Sequence, residues 1–223
     1  MLRTRSATKA TDVTYKIKEI FYTLQGEGTH AGRPAVFCRF TSCNLWTGHE
    51  ADRARAICQF CDTDFVGTNG PGGGRFASAT ALAEAVANAW PEASHDRRMV
   101  VCTGGEPLLQ LDEPAIQALH EQGFYIAVET NGTLAPPTGV DWLCVSPKIG
   151  SELVVTAGSE LKLVYPQEGG DPAQFEGLDF RNFRLQPMDS AAAVANTAAA
   201  VDYCLKHPRW QLSLQTHKYL GIP

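Results

Sequence analysis

The stretch Met99-Val-Val-Cys-Thr-Gly-Gly-Glu-Pro107 decides how this chain is expected to fold. Its four leading apolar residues predict a short buried strand, which runs directly into two glycines and polar side chains. Other apolar segments end in the same way, in Glu-Thr-Asn-Gly from residue 129, Ser-Pro-Lys from 146, Gln-Pro-Met-Asp from 186 and Gln-Thr-His-Lys from 215. Short apolar strands that alternate with helices or connectors indicate parallel strands joined by crossovers. The sequence therefore predicts an α/β protein whose polar residues gather at one edge of the sheet.

The predicted strands number about five to seven, which is too few for a closed eight-stranded barrel. We expect an open, partial (β/α) barrel, and a flat doubly wound sheet is the alternative. Two strands, at residues 15–23 and 35–40, precede this series and enclose a glycine-rich turn. The helices expected from composition and stop signals lie at residues 79–90, 113–122 and 196–207. The last of these places Val194, Val201 and Leu205 on one face.

Length and composition limit the classes of protein to consider. The chain has 223 residues, 44% of them hydrophobic, which suffices for one domain, expected at residues 15–223. Residues 1–14 are expected to form a flexible tail, and they lack the apolar core of a signal peptide. The net charge of −5 and the absence of basic runs argue against a nucleic-acid partner. No apolar stretch approaches the roughly 20 residues of a membrane span. The chain has seven cysteines and no secretion signal, which favours metal binding over disulfides. The same observation favours a cytoplasmic location.

Three cysteines have the spacing of a metal site: Cys43, Cys58 and Cys61, in the pattern C-x14-C-x2-C. Thiolate sulfur is the preferred ligand of iron–sulfur clusters and also binds zinc. Three thiolates on a four-iron cubane would leave one iron open to a small molecule. His49 lies between the first two cysteines and would complete a closed zinc site, so the spacing alone leaves both alternatives open. The remaining cysteines are expected to be small buried hydrophobes: Cys38, Cys102, Cys144 and Cys204.

Two glycine-framed acids are candidate ligand contacts. In Thr103-Gly-Gly-Glu-Pro107, the glycines would let a ligand approach the backbone and Glu106 would accept from an ammonium group. The alternative is an ordinary strand-to-helix turn. In Gln25-Gly-Glu-Gly28, Glu27 could accept two parallel N–H bonds from a heterocycle, while Arg39 in the next strand suits a bidentate anion. A Glu27–Arg39 ion pair is the alternative there.

The segment Asp62-Thr63-Asp64 directly follows the third cysteine. Hard oxygen ligands at this place suggest a magnesium ion or a substrate contact. Taken alone, the segment is more typical of loop capping. A single histidine near the C-terminus, His217, is likewise more typical of an ordinary surface or core residue.

In combination, these motifs resemble the radical S-adenosylmethionine (SAM) enzymes and, within them, the 7-carboxy-7-deazaguanine synthase family of the queuosine pathway. The resemblance runs from about residue 15 to residue 223. One feature departs from the superfamily pattern C-x3-C-x2-C, because fourteen residues separate the first two cysteines. The long gap resembles one subgroup of the family and inserts a segment around residues 44–57 beside the cluster. The conformation of that insertion and the identity of the electron donor do not follow from the resemblance.

The resemblance implies an open partial barrel of the radical SAM type and a specific reaction. A [4Fe–4S] cluster would bind SAM at its open iron, and one electron would cleave SAM to a 5′-deoxyadenosyl radical. This radical would abstract hydrogen from C6 of 6-carboxy-5,6,7,8-tetrahydropterin. The ring would then contract and release ammonia to give 7-carboxy-7-deazaguanine, with SAM regenerated and Mg²⁺ assisting. The family also suggests a homodimer.

Residue roles are carried over from the family one position at a time. The cluster ligands would be Cys43, Cys58 and Cys61, and Thr63 would meet magnesium. The residues implied in SAM binding are Thr103, Gly104, Gly105, Glu106, Glu129, Ser146 and Lys148. The residues implied in substrate binding are Leu24, Gln25, Gly26, Glu27, Arg39, Gln186, His217 and Pro223, the last through its terminal carboxylate.

Two rival functions share part of this pattern. A radical SAM activating enzyme, which places a glycyl radical on a partner protein, would need the cysteines and the Gly-Gly-Glu-Pro motif. It would not need the Gln-Gly-Glu-Gly turn, Arg39 or the terminal carboxylate. A zinc-stabilised binding module, with His49 as the fourth ligand, would need none of the SAM or substrate contacts.

Overall fold

The computed structural model describes residues 14–91 and 96–223 of the chain. The predicted tail lies outside the described residues except for residue 14. The strands are β1 Tyr15–Leu24, β2 Pro34–Phe40, β3 Gly74–Phe76, β4 Met99–Gly104, β5 Tyr125–Thr130, β6 Trp142–Val145, β7 Ala157–Tyr165, β8 Asp179–Pro187 and β9 Trp210–Leu212. The helices are α1 Ala79–Ala89, α2 Glu113–Glu121, α3 Ala193–Lys206 and α4 Thr216–Leu220.

The nine strands found in the described ranges belong to one sheet in the order β3-β1-β2-β4-β5-β6-β7-β8-β9. The neighbours from β2 to β9 pair in parallel, whereas β1 pairs antiparallel with both β2 and β3. The sheet is not closed, because β3 and β9 are its two edges. This confirms the predicted open α/β fold. Within the described ranges, the parallel series consists of the seven strands β2 and β4 to β9, which agrees with the expected five to seven. The antiparallel β1 was predicted separately at residues 15–23, and β3 was not predicted.

Alternating side chains divide each central strand between two environments. On β2 and β4, Cys38 and Cys102 face the core that packs against α1 and α2. Ala35, Met99 and Val101 point to the opposite face, where they form a separate small cluster with Ala127 of β5. Continuing this alternation to the strand ends places polar side chains on that second face. The register confirms it, since Arg39 of β2 lies beside Thr103 of β4.

The cysteines outside the predicted metal site behave largely as expected. Cys38, Cys102 and Cys144 are buried, and burial raises the pKa of each thiol, so all three stay neutral. Cys204 is half-buried on α3. These side chains fill core positions as small hydrophobes.

Helix boundaries follow the predicted signals. Ser78 caps α1 by accepting from the Ala81 N–H, and Asp112 caps α2 by accepting from the Ala115 N–H. The helix α2 ends before Gly123, whose φ of +78° is readily adopted by glycine. The face of α3 that carries Val194 and Leu205 is exposed instead of buried, since the buried residues of this helix are Asn196 and Ala200. Within the described ranges, no helix combines the length and apolar character of a membrane span.

Candidate active site

The carboxyl ends of the parallel strands surround a cavity of about 430 Å³. Residues from all the predicted site groups line it, although they come from distant parts of the chain. The cysteines are joined there by the Gln-Gly-Glu-Gly turn, the Thr-Gly-Gly segment, the ends of β5, β6 and β8, and the C-terminus. Every predicted site residue except Glu106 is part of this lining. The polar clusters at the strand ends therefore form one site.

The cysteine segment is held in place by its own insertion. The insertion, residues 44–57, is a loop with a short 3-10 helix, Glu50–Arg55, and its base closes where the Ile57 N–H donates to the Leu45 carbonyl at 3.1 Å. Arg53 donates to the carbonyls of Gln59 and Cys61, at 2.8 and 3.1 Å. The same guanidinium stacks 4.1 Å above the Trp46 ring. The insertion is thus hydrogen-bonded to the backbone of the segment that carries Cys58 and Cys61.

The three predicted cysteine ligands line the same cavity. In the described part of the chain, no three Cys, His, Asp or Glu side chains converge on one metal-ion position. A zinc ion needs its four ligands within about 2.0–2.3 Å of one point, whereas a cubane attaches each cysteine to a different iron. Three cysteines spread around a shared cavity meet the second requirement.

The electrostatics of the pair Cys58 and Cys61 favour one thiolate. The hydrogen bond from Cys58 lowers the pKa of Cys61 to about 6, although burial acts in the opposite direction. Lys148 adds a favourable positive charge. A thiolate is the form of cysteine that binds metals, so Cys61 is prepared to be a ligand.

The two glycines at the end of β4 allow two strand ends to pack closely. A Cβ on Gly104, whose φ is +138°, would lie 2.1 Å from the Phe40 carbonyl oxygen. A Cβ on Gly105 would lie 2.1 Å from the Ser42 carbonyl oxygen and 2.8 Å from Cβ of Cys43. All three distances are far below van der Waals contact. The glycines therefore bring β4 against the loop of the first cysteine, in addition to exposing backbone groups to the cavity.

Glu106, which was predicted to bind the amino group of SAM, is fully buried and is held by donors of the protein itself. Its Oε1 accepts from the Leu108 N–H and the Thr130 hydroxyl, at 3.0 and 2.8 Å. Its Oε2 accepts from the Asn131 N–H at 2.8 Å, and the Asn131 side chain donates to Asn44, next to the first cysteine. The carboxylate joins the loops after β4 and β5 and, through Asn131, the cysteine segment. Its contact with the amino group of SAM stays a prediction.

Arg39 does not pair with Glu27, so that alternative is wrong. The Arg39 Nε donates to Glu19 Oε1 at 2.8 Å, across the β1–β2 ladder. Glu27 instead accepts from Lys162 and, at 2.9 Å, from the amide of Gln215. Burial favours the protonated form of Glu27, but the charge and hydrogen bond of Lys162 outweigh it and hold the pKa at about 2.

Glu129 joins the residues predicted to bind substrate. Its Oε1 accepts from the Gln25 amide at 2.8 Å and its Oε2 accepts from Lys162 at 2.9 Å. Lys162 was missed by the sequence analysis. The signal was present on β7, where Lys162 lies between two buried leucines and so points to the opposite face of the sheet, where it lines the cavity.

The other predicted SAM contacts lie together at the end of β6. Lys148 donates to both the backbone carbonyl and the hydroxyl of Ser146, each at 2.7 Å. Burial lowers the pKa of Lys148 from its usual value, and the neighbouring Cys58 acts in the opposite direction. The lysine is therefore held close to the cysteine pair.

The carboxylates on either side of Thr63 are already paired. Asp62 accepts from Lys218 at 2.8 Å, and Asp64 accepts from the buried Lys18 at 2.7 Å. Thr63 itself lines the cavity. Of this segment, Thr63 is thus the residue whose side chain has no described partner and is available to a cation.

The C-terminal segment packs on the Gln-Gly-Glu-Gly turn. The Thr216 N–H donates to the Gly26 carbonyl at 2.9 Å, and the His217 ring fills the space where a Cβ of Gly26 would lie. The Thr23 hydroxyl donates to the backbone oxygen of Pro223 at 3.0 Å. These contacts bring the C-terminus against the end of β1 and the turn that follows it.

Replacing Glu106 by glutamine tests its structural role. Whichever oxygen becomes the amide NH₂, one backbone N–H, of Leu108 or Asn131, loses its buried acceptor. We expect E106Q to lower the free energy of unfolding by about 2 kcal/mol without any ligand, measured by urea denaturation. Thr103→Val, which removes a cavity-lining hydroxyl, is the control and should leave that stability nearly unchanged. Unaltered stability of E106Q, with weaker SAM binding, would contradict the assignment.

Comparison with known proteins identifies the family. No protein-family model matches the chain. It is 64% identical over 210 residues to the 7-carboxy-7-deazaguanine synthase of Bradyrhizobium diazoefficiens, covering 94% of this chain and 100% of that protein. The synthase of Haemophilus influenzae is 31% identical, over 93% of this chain and 94% of its own. The crystal structure of QueE from Escherichia coli superposes with a TM-score of 0.67 at 28% identity, over 92% of this chain and 95% of that one. The chain therefore belongs to the 7-carboxy-7-deazaguanine synthase family.

Proposed function

We propose that this chain catalyses the radical SAM-dependent ring contraction of 6-carboxy-5,6,7,8-tetrahydropterin to 7-carboxy-7-deazaguanine, with release of ammonia. The observation that carries the proposal is the shared cavity. It is lined at once by the three cysteines, by the residues implied in SAM binding other than Glu106, and by those implied in substrate binding. An activating enzyme for a partner protein has no need of such a lining for a small heterocycle.

Family membership implies a [4Fe–4S] cluster and SAM as cofactors. Cys43, Cys58 and Cys61 would hold the cluster. When bound, the cluster and SAM supply an electron and a carbon-centred radical that abstracts hydrogen. The residues proposed to hold SAM are Thr103, Gly104, Gly105, Glu106, Glu129, Ser146 and Lys148. Their positions at the rigid ends of β4, β5 and β6 would orient SAM against one C–H bond of the substrate.

The substrate contacts follow from charge. Glu27 and Glu129 present carboxylates that accept N–H bonds, as the amidine-like edge of a pterin requires. Arg39 supplies a guanidinium for the substrate carboxylate, and its pairing with Glu19 keeps it oriented. Gln25 is held against Glu129, and His217 against Gly26, so both lie beside these carboxylates.

A magnesium ion is proposed at Thr63. Asp62 and Asp64 are engaged by lysines, so the protein would offer mainly the threonine hydroxyl, and substrate oxygens and water would complete the shell. Magnesium commonly binds in this way, keeping several waters and using few protein ligands. A cytoplasmic location is proposed as well, because all seven cysteines are free and this compartment keeps thiols reduced.

The activity can be tested directly. We expect anaerobically reconstituted protein to convert the carboxy-tetrahydropterin to the deazaguanine product with SAM, Mg²⁺ and dithionite, detected by mass spectrometry. The Cys43→Ala variant should lose both the cluster absorbance at about 400 nm and the activity. An intact cluster that cleaves SAM but yields no product from the free pterin would defeat the proposal and favour the activating enzyme.

The terminal carboxylate gives a second prediction. Deleting Ile222 and Pro223 removes this group from the cavity mouth, and we expect the KM for the pterin to rise about tenfold or more, as the loss of a charge-assisted hydrogen bond predicts. The dissociation constant for SAM should change much less. Pro223→Ala keeps the chain length and the carboxylate and is the matched control. Equal effects of the deletion on pterin and SAM binding would refute this role.

We propose that residues 15–223 form a single domain. We also propose that the protein is a homodimer, on the basis of the exposed face of α3. Val194 is 87% exposed and Leu205 is 79% exposed, and Val201 lies on the same face. Such an apolar helical face is typical of a covered surface. We expect V194K/L205K to shift the protein toward a monomer in analytical ultracentrifugation, whereas E84K on the exposed side of α1 should not. A monomeric unaltered protein would contradict the proposal.

A further inference from the structure

Lys162 occupies an unusual position at the wall of the cavity. Its side chain is only 3% exposed, yet its ammonium group donates to two carboxylates, Glu27 Oε2 and Glu129 Oε2. Glu27 lies on the turn after β1, and Glu129 lies near the end of β5. The two carboxylates therefore come from segments that are distant in the sequence. Within the described ranges, no second lysine or arginine pairs with either carboxylate.

The opposite oxygens of the two carboxylates are held by amides. Glu27 Oε1 accepts from Gln215 and Glu129 Oε1 accepts from Gln25. Each carboxylate is therefore fixed at both oxygens, and each oxygen retains acceptor capacity because it has two lone pairs. Both glutamates line the cavity. Two oriented acceptors thus face the space where a heterocycle would bind.

The two carboxylates stay ionised together because of Lys162. The oxygens that share its ammonium group are separated by no more than two hydrogen-bond lengths. Two like charges so close in a buried setting would otherwise force one of them to take a proton. A protonated carboxyl would present an O–H donor toward the cavity in place of an acceptor. Its affinity for N–H groups would then be lost.

We propose that Lys162 is a positioning and specificity-determining residue, which keeps Glu27 and Glu129 both anionic so that the site selects heterocycles carrying an amino-substituted edge. This inference rests on the proposed function, since it assigns a selectivity to the same substrate site. A 2-oxo analogue would place a carbonyl oxygen against a carboxylate, with no proton between them. Sites built to pair a substrate N–H discriminate strongly against analogues that lack it.

Binding of two unreactive probes tests the inference. The aromatic 6-carboxypterin and 6-carboxylumazine differ in the 2-amino and 2-oxo groups, and their dissociation constants can be measured on the cluster-loaded enzyme with SAM. We expect the unaltered enzyme to prefer the pterin by about tenfold or more. Lys162→Met should reduce this preference to near unity, and Lys162→Arg should retain most of it. Lys162→Gln is a second neutral variant, in case the methionine variant folds poorly.

Lys18 supplies the matched control. It is also a buried lysine of the cavity wall, but its three acceptors are Asp64, Asn69 and the Val66 carbonyl. Lys18→Met should preserve the preference for the pterin. A purely structural role for Lys162 predicts equal losses of both probes, and an undiminished pterin preference in a folded, SAM-binding Lys162→Met enzyme would overturn the inference. Failure of the proposed function has a different signature, namely an unaltered enzyme that does not turn over the carboxy-tetrahydropterin.

Discussion

Parallel pairing of neighbouring strands is the constraint on which the site depends. From β2 to β9 every neighbouring pair runs in the same direction, so their carboxyl ends meet at one edge of the sheet. The two-residue alternation then separates the apolar core from the face that holds the cavity. Arg39, Thr103 and Glu129 share that face because each continues the alternation of the buried residues before it. Chemistry is therefore concentrated at one place by backbone direction and side-chain period together.

The site must also bury charged side chains without destabilising the fold, and each buried charged side chain in the described ranges has hydrogen-bond partners. Lys18 and Lys162 are almost completely buried, and each ammonium group has several acceptors from different segments. Glu106 is buried with three donors. Leaving a buried charge without its partner is costly, so these networks tie the loops of the cavity to one another. The same contacts that satisfy the charges also give the cavity a defined shape, which a reaction through a reactive radical requires.

Much of the fold and most of the lining could be predicted from the sequence, because both depend on local pattern. The strands predicted at residues 15–23 and 35–40 match β1 and β2 to within one residue at each end. The partner of Arg39 could not be predicted in this way. Glu19 comes opposite Arg39 because the β1–β2 register shifts between Ile17 and Glu19, and a bulge of this kind leaves no clear mark in the alternation. Likewise, the direction of Glu106 is decided by donors at Thr130 and Asn131, which are distant in sequence.

The long gap between the first two cysteines shows how an insertion can leave a site intact. Leu45 and Ile57 are hydrogen-bonded to each other, so the chain leaves and re-enters the cysteine segment at adjacent points. The intervening residues form a loop. Its length has little effect on the positions of the cysteines, because each doubling of a loop's length costs only about 0.6 kcal/mol in closure entropy. Arg53 partly offsets this entropy loss, because it donates to the carbonyl of Cys61 and stacks on the Trp46 ring. A fourteen-residue gap is therefore compatible with three cysteines around one cavity, because the spacing in sequence is decoupled from the spacing in space.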